Sequence, residues 1–325
     1  MERKKKITEK QTELYLLAPN GDLLSQFIVI KTPNDKIVVV DGGFIDNPPC
    51  IEAAVRAILN KGQNEYFEID AWFLSHGHVD HYGEFTKLME NLGESPNFKI
   101  HNVYFDFPNF EGGKFSETDY NPQAYARLKN AFEIYAKKFG IKTDGSYYDY
   151  LNGKIVNEKS VKDGLTITVD GVSFDILQTR SDLDDQVNSG SMVIRIRVKT
   201  KSGEKKVMLL NDVSAESGKR LLDKYKNQLK SDVVQMSHHG QAGAEKDVYD
   251  AISAKIRLWP TTRLIWDNPK YFKIGEVRSW FFIDEKGSEN DLVTCLYEKY
   301  PKDCSKVLDW KTCVDDMKIV IGEDL

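Results

Sequence analysis

Residues 67–85 read FEIDAWFLSHGHVDHYGEF and hold four candidate metal ligands within six positions, His76, His78, Asp80 and His81. Histidine is scarce in this chain, and three of its six histidines lie in this run. Neutral imidazole and carboxylate are ligand types that suit zinc, manganese and iron. The run therefore predicts a metal site.

The flanks of this cluster predict a strand before it and a helix after it. Residues 67–74 form an apolar, aromatic run typical of a buried strand. Apolar residues then recur at helical spacing, at Phe85, Leu88, Met89 and Leu92. The cluster is expected on the loop between them, where a packed core holds ligands still. The alternative, a chance cluster of surface histidines, is disfavoured because spacing and context agree.

Composition is that of an ordinary soluble enzyme, with 41% hydrophobic and 29% charged residues among 325. The net charge of −5 does not suggest an extended nucleic-acid-binding surface, although short phosphate substrates stay possible. No apolar run approaches the roughly 20 residues of a membrane span. The basic opening MERKKKITEK is not followed by an apolar segment, so it does not read as a secretory signal. We expect a cytoplasmic protein without a membrane partner.

The four cysteines, Cys50, Cys295, Cys304 and Cys313, form no CxxC pattern and have no histidine near them. A structural zinc site is therefore disfavoured. Scattered, reduced thiols of a cytosolic protein are the preferred interpretation. A Cys304–Cys313 disulfide is the alternative and would imply an oxidising compartment.

Polar, ligand-type residues recur where apolar strands stop. A predicted β-meander over residues 12–40 ends at Asp41, and the apolar run KKVMLLND ends at Asp212. The run SDVVQMSHHG ends at His238 and His239. If these strand ends meet at one edge with the 76–81 loop, pieces far apart in sequence form a single site.

Two further segments have more than one interpretation. His101 lies within the predicted strand FKIHNVYFDF, where a lone histidine is more often a packed or surface residue than a ligand. An insertion of about 45 residues follows; its helix, after Asn121-Pro122, is a reasonable place for substrate contacts. The aromatic segment around Trp259 and Trp266 is interpreted first as core and second as a wall of the substrate cleft.

The pattern His-x-His-x-Asp-His after an apolar strand resembles the signature of the metallo-β-lactamase superfamily, whose members are mostly metal-dependent hydrolases. The resemblance implies an α/β fold, a four-layer αββα sandwich of two mixed β-sheets. It implies a metallohydrolase domain over residues 1–275, with residues 276–325 as a C-terminal extension packed on it. The runs NSGSMVIRI, VMLLNDV and DVVQMSHHG most resemble the branch containing the metallohydrolase domain of bacterial DNA-uptake channels.

The resemblance also implies roles for the candidate residues. Asp41 would orient the loop and its ligands, and Asp80 would also orient or deprotonate the attacking water. His239 would stabilise developing charge or protonate the leaving group, while the choice between His238 and His239 as ligand rests on analogy and stays open. The implied metal ligands are His76, His78, Asp80, His81, Asp212 and His238.

One departure from the superfamily pattern affects the expected metal content. Many members have another histidine ligand before the bridging aspartate, but here no histidine lies between His101 and Asp212. Asn188 falls nearest to that place, with Asp184 and Asp185 as other oxygen donors. We therefore expect one tightly bound divalent ion, zinc or manganese, and a second, weaker position.

The expected function is a hydrolase in which a divalent metal lowers the pKa of bound water to about 7 and supplies hydroxide. By the branch resemblance, the substrate is expected to be a small-molecule or short phosphoester, as for a phosphodiesterase or a nuclease-like enzyme. The alternatives are hydrolysis of a carboxyl ester, thioester or lactone, and a non-catalytic metal-binding domain. Flavin-linked di-iron chemistry is disfavoured, because that branch replaces the second histidine with glutamate and His78 is present.

Overall fold

The computed structural model describes residues 10–17, 24–44, 51–108, 110, 115–116, 119–139, 161–181, 184–270, 273–296 and 310–325. These residues form two large β-sheets that pack face to face, with helices on both outer faces. The predicted four-layer αββα sandwich of mixed sheets is therefore confirmed.

The described residues contain strands of three to eight residues. In chain order they are β1 (Thr12–Leu16), β2 (Phe27–Lys31), β3 (Ile37–Asp41), β4 (Phe67–Ile69), β5 (Ala71–Leu74), β6 (Phe98–Ile100), β7 (Val103–Phe105), β8 (Thr166–Val169), β9 (Val172–Gln178), β10 (Val193–Thr200), β11 (Gly203–Leu209), β12 (Val233–Gln235), β13 (Ile256–Trp259), β14 (Asp291–Val293) and β15 (Lys318–Ile321).

The helices of the described residues cover the outer faces of the sheets. They are α1 (Ile51–Ile58), α2 (Val79–Glu90), α3 (Pro122–Phe139), α4 (Ala215–Tyr225), α5 (Lys246–Ile252), α6 (Arg263–Trp266), α7 (Ile274–Ser279) and α8 (Trp310–Asp316). None of these helices is long and apolar enough to cross a membrane.

Both large sheets are mixed. The first has the order β15-β1-β2-β3-β5-β7, antiparallel as far as β3 and parallel from β3 to β7. The second has the order β14-β13-β12-β11-β10-β9-β8, parallel from β14 to β11 and antiparallel from there to β8. A separate pair, β4 and β6, is parallel.

Successive side chains of a strand point to opposite faces of its sheet. Buried apolar side chains therefore lie both between the two sheets and between each sheet and its helices. In β3, Val38 and Val40 face the second sheet, whereas Val39 faces the helices of the first outer layer. Phe73 of β5 meets Phe174 of β9 across the two sheets, with ring centroids 5.6 Å apart. Buried strands with apolar side chains on both faces need a cover on each side, which accounts for the four layers.

The topology brings the predicted strand ends to one edge. β3 and β5 are parallel neighbours, so the chain leaves both at the same edge, at Asp41 and just before His76. β11 and β12 are likewise parallel, and lead to Asp212 and to His238. One edge of the sandwich therefore receives ligand-type side chains from both sheets.

Several local expectations are refined by the structure. The apolar run 67–74 divides into β4 and β5, which belong to different sheets. Trp259 and Trp266 are fully buried, so this part of the aromatic segment is core. Within the expected C-terminal extension, β14 joins the second sheet and β15 joins the first. Residues 153–157 (GKIVN), whose apolar pattern also predicts a strand, and Cys304 of the alternative disulfide lie outside the described residues.

Candidate metal centre

The histidine loop leads directly into helix α2. His76 and His78 precede the helix, and Asp80 and His81 lie in its first turn. Two groups of side chains offer ligand atoms within 4.8 Å of one another: His76, His81 and Asp212, and Asp80, His81 and His239. Residues from both sheets therefore converge, with His81 common to both groups.

The donor spacing in this cluster suits a tetrahedral cation. His81 Nε2 and His239 Nε2 lie 3.3 and 3.4 Å from Asp212 Oδ2. Asp80 Oδ2 lies 3.2 Å from His239 Nε2 and 3.7 Å from His81 Nε2. Nitrogen and oxygen ligands about 2.0–2.1 Å from a tetrahedral zinc ion are about 3.3 Å apart. These four side chains, called the complete position below, offer donor atoms at about that spacing.

The imidazoles of His81 and His239 are each oriented through Nδ1, the ring nitrogen that faces away from Asp80 and Asp212. His81 Nδ1 lies 2.8 Å from Asp41 Oδ2, and His239 Nδ1 lies 2.8 Å from the Pro260 carbonyl. An acceptor at Nδ1 selects the tautomer protonated there and leaves the Nε2 lone pair directed into the cluster. This is the arrangement that metal-binding histidines need.

Asp41 anchors the loop, in the position expected for it. Its carboxylate accepts hydrogen bonds from the Ser75 backbone N–H at 2.7 Å and from the Ser75 hydroxyl at 2.8 Å. It also binds His81 and accepts from Gln26 Nε2 at 3.0 Å. With four donors around its carboxylate and no exposed surface, Asp41 holds the loop rather than offering a ligand atom.

His76 and His78 form the second, less complete position. His76 Nε2 lies 3.1 Å from His78 Nδ1 and 4.0 Å from Asp212 Oδ2. His78 Nε2 faces the Asp119 carbonyl at 2.7 Å, so Nδ1 is the nitrogen directed to the cluster. Within the described residues, this position has two imidazoles and a shared carboxylate, one ligand fewer than the first.

The two adjacent histidines occupy places opposite to those expected. His239, 1% exposed, points into the cluster, whereas His238 points outward and its Nδ1 bonds the Ala242 carbonyl at 2.5 Å. Both residues have left-handed backbone, with φ of 50° and 59°, and Gly240 follows with φ of 80°. This backbone path, which L residues rarely adopt, decides which imidazole enters. The expectation that His238 joins the cluster is corrected accordingly.

The remaining oxygen donors and the remaining histidine lie outside the cluster. Asn188 Nδ2 lies 3.4 Å from His238 Nε2, so its amide neighbours the outward histidine. Asp184 is buried in an ion pair with Arg220, at 2.6 Å. His101 lies between β6 and β7, 3.1 Å from Glu68, on the surface of the small sheet. This placement fits the interpretation of His101 as a packed or surface residue rather than a metal ligand.

The electrostatics of the cluster favour a cation. Burial alone would lower the pKa of His239, but Asp212 and Asp80 beside it raise that pKa to about 10. Burial alone would raise the pKa of Asp212, but His239 and His81 hold it well below its usual range. Burial and the neighbouring His81 keep the pKa of His76 well below its ordinary value. Two carboxylates thus stay ionised in a buried site, where they attract positive charge.

Two buried atoms indicate that the site is built for an ion. Among the described residues, His81 Nε2 and Asp212 Oδ1 have no hydrogen-bond partner, although both are buried. Leaving such groups unpaired costs roughly 1–3 kcal/mol each, and more when the group is charged. A divalent cation bound between these donors would satisfy them, so the residues fit the metal that the sequence predicts.

Two cavities open beside the cluster. The first, of ≈ 490 Å³, is bordered by His78, Asp80 and the start of α3 at Asn121–Gln123. The second, of ≈ 380 Å³, is bordered by Asp212, Asn188, His238 and the start of α4. The predicted insertion therefore contributes to the cleft through α3.

Three contributors were not identified from the sequence. Ser75 and Gln26 hold Asp41, and Asp119 holds His78. Ser75 could have been found as the neighbour of the histidine motif. Gln26 and Asp119 carry no local signal, because each reaches the site only through long-range packing.

Comparison with known proteins agrees with this geometry. Residues 20–158 match the family model described as Metallo-beta-lactamase superfamily. No curated protein matches the chain.

Similar solved structures include the metallo-β-lactamase fold protein YhfI from Bacillus subtilis, 14% identical, covering 83% of this chain and 92% of that one at a TM-score of 0.44. A B3 metallo-β-lactamase with an active-site glutamic acid is 13% identical over 74% and 88%, at 0.40. CmlA, a diiron β-hydroxylase from Streptomyces venezuelae, is 11% identical over 78% and 45%, at 0.41. The family-model match lies over the part of the chain that contains β3, β5 and the histidine cluster.

Proposed function

We propose that this protein is a metal-dependent hydrolase that acts on a phosphoester. The observation that carries the proposal is the convergence of Asp80, His81, Asp212 and His239 at the spacing of tetrahedral donors. A divalent ion held there would lower the pKa of a coordinated water to about 7 and polarise the group under attack.

Two residues near the proposed metal site are assigned the remaining catalytic roles, which are handling the attacking water and contacting the leaving group. Asp80 borders the larger cavity, so its carboxylate can orient the attacking water or accept its proton. His238 borders the second cavity, and its Nδ1–H donates to the Ala242 carbonyl, while its Nε2 makes only a long contact of 3.4 Å with the Asn188 amide and can be reached by a substrate. The role of contacting the leaving group therefore passes from His239 to His238.

We propose one tight and one weak metal position. Metal analysis after dialysis against a chelator should find about one equivalent of zinc or manganese retained per chain, because the second position lacks a ligand. Addition of excess metal should then fill the His76–His78 position. Two equivalents retained through the dialysis would contradict the assignment.

The charges around the cavities narrow the phosphoester class. Besides the cluster carboxylates, the described lining residues include Asp119 in the larger cavity and Asp185, Glu216 and Glu245 in the smaller. Lys273 is their one lysine or arginine. Like charges repel in a partly buried cleft, so a phosphodiester with one negative charge fits better than a dianionic monoester or a nucleic-acid strand. The same observation favours an uncharged carboxyl ester or lactone as the second candidate.

A substrate panel tests the proposal. The metal-free protein, supplied with Mn²⁺ or Zn²⁺, would be assayed on bis(nitrophenyl) phosphate, nitrophenyl phosphate, nitrophenyl acetate and a lactone. We expect hydrolysis of the diester, slower reaction of the monoester, and none without metal. Activity confined to the acetate or lactone would replace the phosphoester class. Metal binding without any turnover would favour a non-catalytic domain.

A further inference from the structure

We propose that Gln26 is a positioning residue that couples the two halves of the metal centre, an inference that rests on the proposed function. Gln26 lies in the loop before β2 and has no exposed surface. Its side-chain amide reaches Asp41 in the first sheet and Asn211 in the second. No local motif marks this residue.

The contacts that run from Asp41 through Gln26 to Asn211 form a bridge between the two sheets. On the side of the first sheet, this bridge ends at Asp41, the residue that orients His81. Gln26 Nε2 donates to Asp41 Oδ2 at 3.0 Å, and the same oxygen faces His81 Nδ1 at 2.8 Å. The Gln26 backbone N–H also points to the Asp80 carbonyl, at 3.4 Å. Gln26 therefore contacts both the end of β3, which orients His81, and the first turn of α2, which carries Asp80 and His81.

On the side of the second sheet, the bridge ends beside Asp212. The second hydrogen of Gln26 Nε2 is donated to Asn211 Oδ1, and Asn211 Nδ2 donates to the Met192 carbonyl. The Asn211 backbone N–H donates to Gln235 Oε1 at 2.5 Å, and its carbonyl accepts from the His238 N–H at 3.0 Å. Asn211 thus fixes the turn that presents both Asp212 and the histidine pair.

The direction of the bridge is determined by its ends. The Asp41 carboxylate can only accept, so Gln26 must present its NH₂ group there. The same NH₂ group then requires an acceptor on Asn211, whose own NH₂ must donate to a carbonyl. Gln26, Asp41 and Asn211 are fully buried, so water does not substitute easily for a lost partner.

This chain of contacts has a consequence for metal binding. Asp41 sets the angle of the His81 ring, and Asn211 sets the place of the Asp212 carboxylate, which lies 3.3 Å from that ring. Gln26 links the orientation of the His81 ring to the position of the Asp212 carboxylate, because its side-chain amide bonds both Asp41 and Asn211. Partners that orient ligands typically contribute 10–100-fold to metal affinity, and Gln26 would do so for ligands on both sheets.

The test is the affinity of the metal-free protein for Zn²⁺, measured by competition with a chromophoric chelator, together with its thermal midpoint. Gln26→Leu keeps the volume and removes both donors. We expect its affinity to fall about 10–100-fold. Gln178→Leu is the matched control, because Gln178 is also buried but donates to the Ser217 carbonyl, away from the bridge. Its affinity should equal that of the unmodified protein.

A second variant covers the case in which Gln26→Leu fails to fold. Asn211→Gly tolerates the φ of 51° at this position and removes only the amide. It should weaken binding in the same way, and the double variant should be no weaker than Gln26→Leu, because both interrupt one path.

The outcomes separate the two proposals. Unmodified protein that binds no Zn²⁺ would overturn the proposed function, and the bridge with it. Unmodified protein that binds Zn²⁺ while a folded Gln26→Leu, or Asn211→Gly, binds it equally well would overturn the bridge alone. A lower thermal midpoint with unchanged affinity would also overturn it, since that result describes a purely structural residue.

Discussion

Asp80→Ala should abolish hydrolysis while leaving the fold intact. Asp80 lies 3.2 Å from His239 Nε2, borders the larger cavity, and its pKa is held below its usual range because His81 and His239 outweigh the effect of burial. The variant would lose both a metal ligand and the carboxylate that orients or deprotonates the attacking water. The second loss alone is worth about 10²–10⁴-fold in rate. We expect kcat/KM on bis(nitrophenyl) phosphate to fall by at least that factor.

The control for this variant must account for the helix that Asp80 begins. Asp247 occupies the first turn of α5, as Asp80 occupies the first turn of α2. Asp247→Ala removes the same favourable charge at a helix N-terminus without touching the cluster. Circular dichroism should show both variants folded, and Asp247→Ala should keep full activity. Full activity of Asp80→Ala would refute the role given to this carboxylate.

His239→Ala and His238→Ala should separate binding from turnover. Loss of His239 removes one of the four donors of the complete position, and one of the two imidazoles that lie between Asp80 and Asp212. Metal affinity should fall by more than the 10–100-fold typical of an outer partner, and activity should fall with it. His238 makes its contacts outside the cluster, so His238→Ala should keep metal affinity and lower kcat.

The two histidine variants are each other's control, because they replace the same residue type on the same turn. Isothermal titration with Zn²⁺ gives the affinity, and initial rates at saturating metal give kcat. If His238→Ala loses the metal and His239→Ala keeps it, the turn has a different conformation in solution and the assignment of the pair is reversed.

The sequence predicts most of the strands and helices that follow from hydrophobic periodicity and turn residues. Apolar alternation and turn residues give β1 to β3, and the spacing of Phe85, Leu88 and Met89 gives α2. Parallel strands that end together explain why Asp41, Asp212 and the late histidine pair meet, so the site follows from topology.

What the sequence does not predict depends on side-chain direction and on long-range contacts. His238 and His239 are adjacent residues of the same type, so the sequence does not distinguish them. Three consecutive residues with left-handed backbone, ending in Gly240, decide which imidazole points into the metal cluster. A Cβ on Gly240 would lie 2.4 Å from a ring carbon of Trp259, which shows how closely that turn is packed. Gln26 could not be found for a related reason, since its partners are 15 and 185 residues away.

The packing of Phe73 against Phe174 has a consequence far from either ring. Phe73 lies two residues before Ser75 and helps to hold the sheets together, while the ligand atoms are divided between those sheets. Removing such a ring from a core costs about 3–5 kcal/mol. A cavity there would let the two sheets shift relative to each other. A shift of about 1 Å would change the distances between ligand atoms enough to weaken metal binding. Heat inactivation of this protein should therefore begin with loosening between the layers, before any strand unravels.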